Sequence, residues 1–236
     1  MVSKAIVDIL NTEYGNDSIE GILKKIAVKF QGKIVFTSSL GYEDQVIADI
    51  IFRNDIPIRV ITLDTGRMFE ETYKVFNRTL ERYGKEITPY FPDYKDVEKL
   101  LKEKGPVSFY ESIENRKECC HIRKVKPLQR ALKGVECWVT GLRASQSSGR
   151  SVLKTVEWDS GYQLVKCNPL VNWSLEEVKE YIKENNVPYN SLHDKGFVSI
   201  GCEPCTRAIR AGEDFRAGRW WWENKSGKEC GLHTHK

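Results

Sequence analysis

The chain has 236 residues, 40% of them hydrophobic and 30% charged, with a formal net charge of +4. That is length enough for one α/β domain with a substantial core, and no apolar run approaches the roughly 20 residues of a membrane-spanning helix. Met1 to Asn16 carries Asp8 and Glu13 and lacks the apolar stretch and cleavage site of a secretory signal, so the expected location is the cytoplasm. The mild positive charge suits an anionic small molecule as well as a nucleic acid and does not separate them.

In chain order, Ile19, Ile22, Leu23, Ile26, Ala27 and Phe30 recur at helical spacing behind a capping Asp17 or Ser18, which predicts an amphipathic helix over 18–30. Residues 33–39 then read as a buried strand that breaks into a polar turn, and 43–52 as a helix. The unit recurs as strand 57–63, helix 68–83, short strand 86–90 and helix 94–104. Beyond a tandem cysteine pair, 123–132 reads as helix despite Pro127, and 136–141 as another strand. Residues 151–167 predict a hairpin around Asp159-Ser160-Gly161, and 174–185 a helix opened by Ser174 with Glu177 at capping-box spacing. From Tyr189 onward the chain is loop-rich, which predicts a segment held by ligands more than by a core. Strand and helix alternation of this kind implies an α/β fold with a parallel sheet covered by helices.

Seven cysteines without an export signal argue for reduced thiols used in metal binding or catalysis, not a disulfide framework. Cys119 and Cys120 are adjacent, and Cys202-Glu203-Pro204-Cys205 supplies two more thiols at ligand spacing, giving four for one metal centre. Four cysteines serve zinc and iron-sulfur clusters alike, so the residues leave the metal open. Adjacent ligands place Cys119-Cys120 where a helix begins or bends, with Lys124 one turn on. Cys137, inside a predicted strand, and Cys167 read as core packing. Cys230 lies between Glu229 and Gly231-Leu232-His233 near the end of the chain, where a reactive thiolate would need nearby positive charge.

In a parallel sheet, ligands settle outside the carboxyl ends of the strands. Three predicted strands end there in polar, glycine-containing loops: 37–44 with Ser38, Ser39 and Gly41; 63–67 with Asp64, Thr65 and Arg67; and 140–147 with Arg143. The first could cradle a phosphate at a helix N-terminus, although it matches neither the Walker A pattern nor G-x-G-x-x-G.

The ordered set of Ser38 to Asp44, Leu63 to Arg67, Cys119 to Lys124, Gly141-Leu142-Arg143 with Gln146, Ile200 to Thr206, Arg216 to Trp220 and Glu229 to His233 spans nearly the whole chain. It resembles the assimilatory adenylyl-sulfate reductases of the PAPS/APS reductase family. The resemblance implies a Rossmann-like adenine nucleotide alpha hydrolase domain of the ATP pyrophosphatase type, with 1–236 as one domain and 206–236 as a catalytic tail. It implies a [4Fe-4S] cluster on Cys119, Cys120, Cys202 and Cys205, and Cys230 as the nucleophile. Substrate binding is then expected from Ser38, Ser39, Gly41, Asp64, Thr65, Arg67, Lys124, Arg143, Arg216, Arg219 and His233. The implied reaction reduces adenosine 5′-phosphosulfate to sulfite and AMP through an S-sulfocysteine, which thioredoxin or a similar dithiol protein releases in sulfate assimilation.

The same resemblance expects neither nucleic acid nor membrane as a partner and leaves homo-oligomerisation open. Tyr42, where many relatives carry a small residue, and Ala144-Ser145, in place of a more charged pair, depart from the pattern and leave substrate detail open. The alternatives are reduction of the 3′-phosphorylated substrate, a cluster-dependent tRNA sulfur-transfer enzyme, or a zinc-stapled module without catalysis. Trp220-Trp221-Trp222 is read as an anchor for the tail, with adenine stacking as its second use.

Overall fold

The computed structural model describes residues 4–15, 17–146 and 153–223. The predicted alternation is present: α2 (Ile19–Lys29), β1 (Ile34–Ser38), α3 (Tyr42–Arg53), β2 (Arg59–Leu63), α4 (Glu70–Tyr83), β3 (Thr88–Tyr90) and α5 (Tyr94–Lys104). It continues through α6 (Ile113–Cys120), α7 (Lys126–Ala131), β4 (Cys137–Val139), β5 (Val156–Asp159), β6 (Leu164–Cys167) and α8 (Leu175–Glu184). Before them lies α1 (Ile6–Tyr14), which periodicity did not predict. Its Asn11 pairs with both backbone groups of Val156, Nδ2 donating to the carbonyl at 2.9 Å and Oδ1 accepting from the amide at 3.0 Å. The open edge of β5 is covered in this way.

The strands form one sheet in the order β3-β2-β1-β4-β6-β5, all parallel except β5 against β6. Side chains alternate across it as a period of two requires. Ile34 and Phe36 pack with α2, α3 and α8 on one face, while Val35, Ile61 and Trp138 meet Leu128 and Ala131 of α7 on the other. Cys137 and Cys167 are fully buried in the first of these cores. The hairpin turn closes on Asp159, whose Oδ1 accepts from the amides of Gly161 and Tyr162 at 3.0 Å each.

Chain connection runs from β1 to β2 on one side of the sheet and returns to β4 on the other, so the switch point lies between β1 and β4. That is where an open α/β sheet leaves a crevice at its carboxyl edge. Among the described residues no helix is long and apolar enough to cross a membrane.

The cysteine pair closes α6, and the chain passes into α7 through a π-helical turn, His121–Val125, in which the Lys126 amide reaches back to the His121 carbonyl. Pro127 stands at the second position of α7, directly after the π turn. The π turn follows the cysteine pair directly, at the place where the sequence leads one to expect a helix to begin or bend. The later segment is loop-rich as expected, but it is not held by ligands alone. Cys205 and Trp220 are buried with Leu100 and Phe109 in a small third core.

Candidate functional site

A cleft opens at the switch point, with a volume of about 240 Å³. Its floor is the loop after β1, where Leu40 takes the left-handed conformation at φ 62° and Gly41 precedes α3. Within that loop the Leu40 amide donates to Ser38 Oγ at 3.1 Å, while the Asp44 carboxylate accepts from the Ser39 amide at 2.5 Å and the Ser39 hydroxyl at 2.6 Å. Burial pushes Asp44 up to about 6 against the opposing pull of the Ser39 bonds. Its approach to the loop after β4 requires Gly141, because a Cβ there would collide with Asp44 Oδ1.

Of the eleven residues expected to bind substrate, Ser38, Ser39, Gly41, Thr65, Lys124, Arg216 and Arg219 line this cleft. Asp64 instead shapes the loop after β2, its Oδ1 accepting from the Gly66 amide at 2.8 Å and the Tyr73 hydroxyl at 3.1 Å. Arg67 lies 4.7 Å over the Phe109 ring, donates to the Pro106 carbonyl at 2.6 Å and borders the cysteine cavity. Arg143 is buried beneath the cleft wall. It pairs with Glu43 at 2.8 Å and donates to Ser145 Oγ and the Trp173 carbonyl, fastening the loop after β4 to the start of α3. His233 and Cys230 lie outside the described residues.

Cys119, Cys120, Cys202 and Cys205 surround a second, much smaller cavity beside the cleft, shared with Arg67, Arg116, Arg123 and Lys124. The loop after β2 ties its two halves together. Arg123 Nη1 donates to the Thr65 carbonyl at 2.7 Å, the Glu203 amide donates to the Arg67 carbonyl at 2.9 Å, and Cys202 Sγ lies 3.3 Å from Thr65 Oγ. Burial pushes Cys119 up and drives Cys205 up to about 12, with Cys202 adding to the latter. Burial alone would also raise Cys202, but Lys124, the Thr65 hydroxyl and Arg219 bring it below the ordinary thiol range. Lys124 and Cys202 line both cavities and form the wall between them.

Arg219 stands on the cleft side of that wall. Its guanidinium lies 4.9 Å over the Trp220 ring and rests against Gly201, where a Cβ would stand 2.5 Å from its Cζ. Trp220 is 1% exposed and carries Arg116 at 4.5 Å and Arg216 at 5.8 Å as well. Trp222 packs on Tyr110 at 4.4 Å, while Trp221 is exposed. Two of the three tryptophans therefore hold the late segment onto the domain, away from the cleft floor.

Sequence reasoning passed over His193, which lines the cleft and stacks on Tyr42 at 3.8 Å. Its Nδ1 donates to the Phe197 carbonyl at 2.7 Å, which leaves Nε2 as the bare nitrogen, and burial holds its pKa down. A lone histidine in a polar loop carries no signal that would have singled it out.

Residues 33–208 match the family model of the phosphoadenosine phosphosulfate reductase domain. The adenosine 5′-phosphosulfate reductase of Agrobacterium fabrum is 50% identical over 203 residues, covering 86% of this chain and 78% of that protein. The enzyme of the same name from Allochromatium vinosum is 51% identical over 203 residues, covering 86% and 79%. Among solved structures, the phosphoadenylyl-sulfate reductase of Candida auris in a phosphate complex superposes with a TM-score of 0.75 at 32% identity, covering 89% of this chain and 98% of that one. The FMN adenylyltransferase of Candida glabrata, at 16% identity and a TM-score of 0.56, shares the fold alone. On the strength of the family model and of relatives at about half identity, this chain belongs to the phosphoadenosine phosphosulfate reductase domain family.

Proposed function

We propose that this protein reduces adenosine 5′-phosphosulfate to sulfite and AMP, with Cys230 as the nucleophile. The observation that carries the reading is the shared wall. Lys124 and Cys202 border both the nucleotide-sized cleft and the four-cysteine cavity, with Arg216 and Arg219 on the cleft side. The relatives at about half identity bear the name of this activity, which supports the unphosphorylated nucleotide as substrate.

The cleft divides the work by chemistry. The Ser38 hydroxyl and the Gly41 amide offer donors to the 5′-phosphate at the N-terminus of α3, beside a Ser39 whose amide and hydroxyl are engaged by Asp44. Lys124, Arg216 and Arg219 face the sulfate end. An anionic thiolate approaching an anionic sulfuryl group is repelled unless fixed cations offset the charge, and the same cations favour the departing phosphate oxygen. The Cys230 thiolate attacks sulfur, an S–S bond forms as the S–O bond to phosphate breaks, and AMP leaves with the electron pair. A thiolate of a dithiol protein of the thioredoxin type then attacks Cys230 Sγ, and sulfite departs with the S–S electrons. The partner's second thiol breaks the mixed disulfide, so the dithiol supplies both electrons and becomes a disulfide.

Cys119, Cys120, Cys202 and Cys205 share one cavity with Arg67, Arg116, Arg123 and Lys124, whose charges would offset those of four thiolates. Four thiols of this kind suit zinc and iron-sulfur centres alike, and the family resemblance favours the cluster. A [4Fe-4S] group held by Cys119, Cys120, Cys202 and Cys205 would supply delocalised anionic charge beside Lys124.

The test is anaerobic turnover with adenosine 5′-phosphosulfate, thioredoxin and no ATP. Equal yields of AMP and sulfite are expected, and Cys230→Ser should bind nucleotide yet release no sulfite. Faster turnover of the 3′-phosphorylated nucleotide would reassign the substrate, and a requirement for ATP would end the reductase reading.

A further inference from the structure

Arg116 is unusual for a helix-borne arginine. It lies on α6, three residues ahead of Cys119, and only 4% of it is exposed. Its Nε donates to Glu223 Oε1 at 2.8 Å and its Nη2 to Oε2 at 2.9 Å, a two-pronged pair in which both side chains are nearly sealed from water. The guanidinium also stacks on Trp220, borders the cysteine cavity and lies within hydrogen-bonding reach of Cys120. Placing both charges in such a position carries a large desolvation cost, and an apolar pair of the same volume would stabilise the fold at least as well. Stability alone therefore gives a weak reason for this pair.

Geometry supplies a better one. Arg116 and Glu223 are 107 positions apart in sequence, and their fork is directional where an apolar contact is not. It joins the helix that carries Cys119 and Cys120 to Glu223, seven residues ahead of Cys230 in sequence. The seven residues from Glu223 to Cys230 span at most about 25 Å when fully extended. A tethered group samples a smaller volume, and so acts at a higher effective concentration, when its tether starts from a fixed point, or root. Between root and cleft lie Trp220 and Arg219, so displacement at Glu223 also reaches a cation of the cleft wall.

We propose that Arg116 is a positioning residue that fastens the chain at Glu223 to the cysteine-bearing helix, giving Cys230 a fixed root from which to reach the cleft. This rests on the reading of Cys230 as nucleophile, whereas the fastening itself does not. The test compares anaerobically purified Arg116→Gln, Glu223→Gln and the double variant with the wild type. Hydrogen exchange follows the amides of Trp220 and Glu223, which bond to the carbonyls of Cys205 and Trp220. Single-turnover labelling with adenosine 5′-phosphosulfate follows Cys230, and AMP affinity and iron content serve as controls.

Each variant should exchange those amides about ten-fold faster and sulfonate Cys230 about ten-fold more slowly. AMP affinity should stay within about two-fold of the wild type, and labelling is compared per iron-loaded chain because Arg116 also borders the cysteine cavity. The double variant should lose no more than either single, because all three break one link. It also leaves no orphan charge buried, so it decides the matter if a single variant melts early. Wild-type exchange and wild-type labelling in the double variant would overturn the proposal, as would losses in the two singles that add. If the wild type itself never takes sulfur at Cys230, the function reading fails. Exchange then judges the fastening by itself, faster exchange supporting it and unchanged exchange overturning it.

Discussion

Replacing Gly201 with alanine isolates the placement of one cation. The three nearest neighbours of a Cβ at this position all belong to the Arg219 guanidinium, with Cζ at 2.5 Å and Nη1 at 3.0 Å. Ordinary contact begins near 3.4 Å, so the guanidinium carbon must retreat by about 0.9 Å. A misplacement near 1 Å at a group that orients substrate can cost about 10²-fold in rate, equal to about 2.7 kcal/mol in kcat/KM. The fold should lose far less, since the disturbed contact is the stacking of Arg219 on Trp220, worth about 0.5–2 kcal/mol. Anaerobic steady-state kinetics with adenosine 5′-phosphosulfate measure the first quantity and urea unfolding the second. Unchanged kcat/KM would show that the seat of Arg219 is irrelevant to turnover and would remove it from the mechanism. A rate loss matched by equal loss of stability would make Gly201 a packing residue only.

Asp44 predicts a pH signature. Its folded pKa, about 6, lies above the ordinary 3.8, so between those values the folded protein holds more proton than the unfolded chain. Stability should therefore fall as pH rises through this window, by about 3 kcal/mol from this residue; Asp44→Asn should flatten the curve, and an unaltered pH profile of urea unfolding would contradict the assignment. Asp49 is fully buried and accepts from the hydroxyls of Tyr83 and Tyr181 at 2.7 Å each. Asp49→Ala strands two phenols and should cost about 3 kcal/mol, with Asp49→Asn costing less; a loss under about 1 kcal/mol in the alanine variant would show that the phenols find other partners. Anaerobically prepared protein should be brown with about four irons per chain, and Cys205→Ser should lose most of them while still binding AMP. A colourless wild type with one zinc would replace the cluster.

The scaffold was legible because its signals are local. The apolar run of β1, the helical spacing of α2 and the capping box of α8 each operate within a few residues, and each element appears where those patterns place it. Helix α1 was missed because Ala5 stands at its N-cap with no capping side chain, and of its apolar residues only Leu10 and Tyr14 are buried. The helix irregularity next to Cys119-Cys120, expected there from the tandem thiols, takes the form of a π turn over His121–Val125. Partners of buried charges were not legible. Arg143 and Arg116 are ordinary surface residues by composition, and they become interior ones through Glu43 and Glu223, each about a hundred positions away. Arg67, in the same motif as cleft-lining Thr65, turns instead to the cysteine cavity because its side chain finds Phe109 there.

The most direct measurement is mass spectrometry of the intact, iron-loaded protein after incubation with sulfur-labelled adenosine 5′-phosphosulfate and no dithiol. The account predicts one sulfonate per chain, localised to Cys230, formed with release of one AMP and discharged as sulfite when thioredoxin is added. Nucleotide bound and AMP released with no sulfur on Cys230, or sulfonation that survives Cys230→Ser, would contradict it.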